Sequence, residues 1–126
     1  MKVLIAAMII FVILLGFATF TSYYINNTAN TLLTRAENVE KSVDVRDWQQ
    51  AEKKFSQLNS SWNGTSPKWT ALIDHQELDN INISLSKVKK YIDTRELPGF
   101  MTEMAELKLL FKHIPEKEAL NLKNIL

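Results

Sequence analysis

The chain has 126 residues, no cysteine, and 15 basic residues against 14 acidic ones. This length leaves room for one small domain, and the lack of cysteine excludes disulfides, thiolate metal sites and thiol nucleophiles. Apart from Lys2, the 14 remaining basic residues equal the acidic ones, so the chain lacks the concentrated positive charge that nucleic-acid binding requires.

The first predicted element is an apolar helix. Residues 3–20, VLIAAMIIFVILLGFATF, carry no charge, and the next charged residue after Lys2 is Arg35. A run of about 18 apolar residues can cross a bilayer core of about 30 Å as a helix. Tyr23 and Tyr24 then follow at the position where interfacial aromatic residues are favoured. The sequence therefore predicts a transmembrane anchor over residues 1–25, which contacts the membrane through residues 3–25, and a second domain over 26–126.

A cleaved signal peptide is the alternative for this segment. Lys2 gives a short positive start, and Gly16-Phe17-Ala18 is an acceptable small-x-small cleavage site. The apolar run is long for a signal core and continues past Ala18, which favours an uncleaved signal-anchor. Because Lys2 is the only positive side chain close to the apolar run, the positive-inside rule places the amino terminus inside. We expect a single-pass cell-membrane protein with an extracytoplasmic domain.

Two amphipathic helices follow the anchor. Apolar residues recur every three or four positions from Leu32 to Val43 and again from Trp48 to Trp62, which is the spacing of one buried helix face. The turn between them is short enough to force an antiparallel pair, with Asp44 as the predicted N-cap. Trp48 is expected to pack at the end of this hairpin.

A third helix is predicted from about Pro67 to Ile92. The segment NGTSPKW favours a break, because Gly64 can end one helix while Ser66 caps and Pro67 opens the next. The apolar residues of the third helix step by three and four along one face: Leu78, Ile81, Leu85, Val88 and Ile92.

The fourth helix completes a second hairpin. Its predicted seam contains Leu97, Met101, Met104, Lys108, Phe111 and Ile114, with Leu107 and Leu110 beside it, and Pro115 is expected to end it. The fold class predicted is thus all-α: an N-terminal transmembrane helix that continues into an antiparallel bundle of two helical hairpins.

The chain's only two histidines, His75 and His113, are predicted to lie at the same level of the second hairpin. Together with Asp74 they are interpreted as a hydrogen-bonded polar layer where the apolar seam reaches solvent. The alternative is a metal site built from His75, His113, Asp74 and Glu77, since imidazole and carboxylate are ligands for zinc and related ions. The polar layer is the interpretation we favour.

No catalytic arrangement accompanies these residues. Three glycines give no phosphate-binding loop, and no serine sits in an elbow motif with a histidine and an orienting acid. We therefore expect neither an enzyme nor a bound cofactor.

The whole chain resembles an uncharacterised family, known only as a domain of unknown function, of small membrane-anchored proteins from spore-forming Gram-positive bacteria. The resemblance lies in the N-terminal apolar segment, in WTALIDHQELDNINISLSKVKKYI, and in AELKLLFKHIPEKEALNLKNIL at the end. It implies a bacterial membrane protein and no particular activity.

Two functions fit this sequence. The first is a non-enzymatic membrane-anchored module that binds another membrane or envelope protein, with Trp62 and Trp69 as its predicted partner surface. The alternative is a sensor-like bundle that binds a small ligand or a metal between its helices. The orderly seams and the lack of a reactive cluster favour the first.

Overall fold

A computed structural model of the chain contains four helices: α1 (Lys2–Asp44), α2 (Trp48–Thr70), α3 (His75–Thr94) and α4 (Leu97–Ile125). The structure describes the backbone of residues 1–125 and the side chains of residues 1–120. No strand occurs within that described backbone, so the predicted all-α class is confirmed.

Helix α1 runs without interruption from the apolar segment into the bundle. It has 43 residues, and its first buried side chain is Ile25. Its N-terminal part is long and apolar enough to cross a membrane, by length and composition. From Ile25 onward one face is buried with the three- and four-residue spacing of a packed helix: Ile25, Ala29, Leu32, Ala36, Val39 and Val43.

The four helices form an antiparallel bundle in which each helix packs on two neighbours. Helix α1 packs against α2 and α4, and α3 closes the ring by packing on the same two helices. Short turns at residues 45–47 and 95–96 lie at what we call the far end of the bundle. The turn at 71–74 and the last part of α4 lie at the near end, beside the apolar segment.

Helices α2 and α3 bury the faces that the sequence predicts. In α2 these residues are Ala51, Phe55, Leu58 and Trp62, and in α3 they are Leu78, Ile81, Leu85, Val88 and Ile92. Trp48 lies half-buried at the far end, where its ring meets Phe100 edge-on at 6.4 Å between centroids.

The predicted break at NGTSPKW is wrong. Helix α2 continues through Gly64 and Pro67 to Thr70, and α3 begins at His75, eight residues later than expected. The buried face explains the continuation, because Trp69 lies seven residues after Trp62 and so returns to the same side of the helix. Burial of this large ring outweighs the local preference of glycine and proline for a helix end.

The seam of α4 is shifted by one residue at two places. Phe100 and Leu107 are buried, whereas Met101 is exposed and Lys108 is only partly buried. Met104, Phe111 and Ile114 keep their predicted places in the core.

Pro115 does not end α4. The helix continues through this proline to Ile125, although the sequence predicts a stop there.

One N-cap residue and two turn residues determine how the chain reverses direction at the far end. Asp47, not the predicted Asp44, is the N-cap of α2, and its carboxylate accepts from the Gln50 backbone N–H at 3.1 Å. Asp44 instead belongs to the last turn of α1. Arg46 and Arg95 adopt left-handed backbone conformations with φ of 60° and 55°, which lets each chain segment reverse direction within a few residues.

Candidate functional site

Trp62 and Trp69 do not form a surface. Their exposed fractions are 2% and 0%, and their rings meet edge-on with 5.6 Å between centroids. Phe111 of α4 lies 6.2 Å from the Trp62 ring, so the pair forms part of the bundle interior. The prediction of a partner surface at these two residues is therefore wrong, because the helix that carries them continues and turns both rings inward.

Each buried indole N–H has a partner on another helix. Trp69 Nε1 donates to Thr28 Oγ1 of α1 at 3.0 Å, and Trp62 Nε1 donates to Asn82 Oδ1 of α3 at 2.7 Å. Since a buried unpaired N–H is costly, these two bonds help to fix how α2 sits against its neighbours.

The predicted polar layer is wrong: among the described side chains, no hydrogen bond joins Asp74, His75 and His113, because both histidines point to solvent. Asp74 is the N-cap of α3 and accepts from the Gln76 backbone N–H at 3.1 Å. Both histidines are exposed, His75 in the first turn of α3 and His113 on α4. Among the residues whose side chains are described, no group of three or more His, Asp or Glu is placed to hold a metal ion. Glu77, the fourth metal candidate, instead accepts a hydrogen bond from Lys117.

The near end of the bundle carries a small charged cluster. Lys117 Nζ lies 2.8 Å from Glu77 Oε1, and the hydrogen bond with this carboxylate raises the pKa of Lys117 above its ordinary value. Glu118, the next residue, borders Phe17 and Ile25 at the end of the apolar segment. Partial burial there raises the pKa of Glu118, and Glu77 adds to the increase, while Lys117 opposes it.

An apolar groove lies between α1 and α4 on the outside of the bundle. We call it the Leu109 groove; it has a volume of about 260 Å³ and is lined by Leu33, Glu37, Ala105, Lys108, Leu109 and Lys112. Leu109 is 65% exposed, which makes it one of the most exposed large apolar residues of the bundle. Its sequence signal is an apolar residue one position outside the buried seam, beside two lysines.

A polar groove lies around Arg35 of α1, partly against α2 and partly on α1 alone. We call it the Arg35 groove; one part, of 370 Å³, is lined by Arg35 with Ser56, Gln57, Ser60 and Ser61 of α2. The adjoining part, of 430 Å³, is lined by Arg35 with Asn27, Asn30, Thr31, Thr34 and Asn38 of α1. Its sequence signal is a stretch of amides and hydroxyls on α1 in which Arg35 is the only cation.

Comparison with known proteins identifies one family. The sequence model of a domain of unknown function, DUF4363, matches residues 19–125, which cover the bundle and the last residues of the apolar run. No curated protein and no solved structure matches the chain.

Proposed function

We propose that this chain, which belongs to the DUF4363 family of domains of unknown function, is a non-enzymatic helical module anchored in the membrane by a single pass. Its bundle binds another membrane or envelope protein, and the Leu109 groove is the contact surface. This surface replaces the buried tryptophans as the place where a partner docks.

The exposed Leu109 side chain is the observation that carries the proposal. A leucine that is 65% exposed between two helices gains free energy when a partner removes it from water, by about 25 cal/mol for each Å² covered. Leu33 and Ala105 extend the apolar floor on either side. An apolar strip of this kind between two helices suits the apolar face of a third helix.

The charges around the groove indicate the chemistry of the partner. Lys108 is already paired with Glu40 at 3.0 Å, whereas Lys112 and Glu37 join no ion pair among the described side chains. A partner helix would complement this lining with an apolar side chain for Leu109, a carboxylate for Lys112 and a basic group for Glu37. Leu33 lies 13 residues after Phe20, about 20 Å along the helix, so the partner must project that far from the bilayer.

Site-specific photo-crosslinking in intact membranes tests this proposal. A benzophenone amino acid at Leu109 should give one discrete adduct with a membrane or envelope protein. The same group at Ile83 of α3, an apolar side chain that is 54% exposed, is the matched control and should give none. The substitution Lys112→Glu should reduce the Leu109 adduct, because it reverses the charge beside the groove.

Three results would overturn the assignment. Equal adducts from both positions would mean that exposure alone determines the reaction. An adduct with a second copy of this chain would make the groove a self-association surface, and the absence of any adduct at Leu109 would remove the surface from consideration.

A further inference from the structure

We propose that the Arg35 groove is a binding site for an oxyanion, a carboxylate or phosphate group carried on a hydroxyl-rich compound such as an acidic sugar. This site is lined by residues of α1 and α2, and it shares no lining residue with the Leu109 groove between α1 and α4. The two proposals therefore stand or fall independently.

The lining of the groove sets the charge of the ligand. Arg35 is the only ionisable residue among the side chains that line its two parts, and every other lining residue is an amide or a hydroxyl. The positive charge is thus not neutralised within the groove. A guanidinium in such surroundings attracts an anion, and its planar fork of donors matches the two oxygens of a carboxylate or phosphate.

The Arg35 guanidinium also has N–H donors without a hydrogen-bond partner. The Nε atom of Arg35 is buried and has no hydrogen-bond partner among the described side chains. Nε has no accessible surface, so a ligand in the groove contacts the terminal nitrogens of the guanidinium. The two terminal nitrogens make no ion pair among the described side chains, and together they present the two donors that a bidentate oxyanion needs.

The neighbouring side chains indicate what carries the anion. Ser56, Ser60 and Ser61 each offer a hydroxyl, which both donates and accepts, and Gln57 offers an amide with the same capacity. On the α1 side three asparagines and two threonines continue this pattern. Such side chains suit the hydroxyl groups of a polar ligand better than an apolar body.

The position of Arg35 along α1 argues against a lipid headgroup as the source of the anion. Arg35 follows Phe20 by 15 residues, which corresponds to about 22 Å of helix beyond the apolar segment. The polar layer on each side of a bilayer core is only about 5 to 8 Å thick. The groove therefore lies beyond the reach of headgroups when the apolar segment spans the core.

Binding can be followed at Arg35 itself by NMR. The full chain in nanodiscs of neutral phosphatidylcholine is titrated with glucose 6-phosphate, glucuronate, inorganic phosphate and glucose, and the Nε–H signal of Arg35 is recorded. The two acidic sugars should shift it saturably, with a dissociation constant in about the millimolar range. Glucose, which lacks the anion, should leave the signal in place.

Two variants and one control identify the site. Arg35→Gln removes the guanidinium, and Gln57→Glu puts a negative charge into the groove. Each variant should weaken glucose 6-phosphate binding at least about tenfold. In both variants, binding is measured by the shifts of the backbone amide signals of Ser60 and Ser61. Arg95→Gln removes an exposed arginine at the far end and should leave binding unchanged.

Other outcomes refute the proposal. Equal loss in Arg35→Gln and Arg95→Gln would show that only net charge matters. A shift caused by glucose, or a shift caused by inorganic phosphate but by neither acidic sugar, would remove the acidic sugar as the ligand class. If the Arg35 signal responds only when phosphatidylglycerol replaces part of the neutral lipid, a headgroup reaches the groove and the height argument is wrong.

Discussion

At Trp69, a single residue joins the apolar core to a polar contact on another helix. The ring is fully buried, while its N–H reaches Thr28 Oγ1, which in turn donates to the Tyr24 carbonyl at 2.9 Å. Thr28 therefore serves both its own helix and α2. The hydroxyl can make both contacts because it has one donor hydrogen and two acceptor lone pairs.

Removing that hydroxyl should leave the indole N–H buried without a partner. Thr28→Val keeps the shape of the side chain, and we expect it to lower the free energy of unfolding by about 1 to 3 kcal/mol. Thr31→Val is the matched control, because Thr31 is exposed and its hydroxyl only donates to the Asn27 carbonyl at 3.1 Å. Thermal unfolding of the full chain in detergent measures both, and equal effects would contradict the role given to Trp69.

Glu118 gives a pH-dependent prediction at the same scale. Burial raises its pKa above the ordinary value of 4.5, so the folded state binds this proton more tightly than the unfolded state. Stability should therefore fall as the pH rises from 4.5 through the raised pKa. Glu118→Gln removes the charged form, and its melting temperature should exceed that of the wild type at pH 7 but not at about pH 4.

Glu116→Gln is the control for Glu118, since Glu116 is exposed two residues earlier in α4. It removes the same charge from the same segment without changing a partly buried group. If the melting temperatures of Glu118→Gln and wild type differ by the same amount at both pH values, burial of Glu118 is not the cause.

At the scale of the element, two glycines within helices differ in their surroundings. Gly64 of α2 has no neighbouring atom within 4 Å of a Cβ placed on it, whereas a Cβ on Gly99 of α4 would lie 2.6 Å from Cδ1 of Tyr91. The first glycine has space for a side chain, and the second allows α4 to approach α3 closely.

The same substitution at the two positions should have opposite effects. Gly64→Ala should stabilise the protein by about 0.5 to 1 kcal/mol, because alanine loses less backbone entropy in a helix. Gly99→Ala should destabilise it by about 1 to 3 kcal/mol, because the half-buried Tyr91 ring has to move. Chemical unfolding of both variants tests the pair, and stabilisation by Gly99→Ala would show that the ring yields at little cost.

The elements also show how far the sequence determines the fold. The face of α3 could be predicted residue by residue, since Leu78 to Ile92 follow one uninterrupted period. The end of α2 could not, because Gly64 and Pro67 favour a break locally while Trp69 is buried by contacts with other helices. In α4, Phe100 and Met101 are adjacent and both apolar, so the period alone does not select between them.

The candidate sites were harder to predict for a related reason. Periodicity identifies the residues that face inward, but Trp62 and Trp69 are predicted as a partner surface from their aromatic character, which does not distinguish a buried ring from an exposed one. Grooves such as those at Leu109 and Arg35 form between helices that are distant in sequence. Their lining depends on which helices are neighbours, and spacing within one helix does not contain that information.

At the scale of the whole molecule, the side of the membrane that the bundle occupies is a prediction from Lys2. The chain has no cysteine, so a single Ser60→Cys substitution on the exposed face of α2 provides a unique label site. A membrane-impermeant maleimide should label it in intact cells. Labelling only after lysis would place the bundle on the cytoplasmic side.

Because α1 is uninterrupted, the rotation of the bundle relative to the apolar segment depends on the number of residues between them. With no hinge between Phe20 and Ile25, one residue inserted there would rotate the bundle by about 100° about the anchor axis and lift it by about 1.5 Å. Seven inserted residues would restore nearly the original azimuth, about 10 Å higher. If the apolar segment spans a membrane as proposed, the number of residues in a segment that touches neither groove determines the direction that each groove faces in the membrane plane.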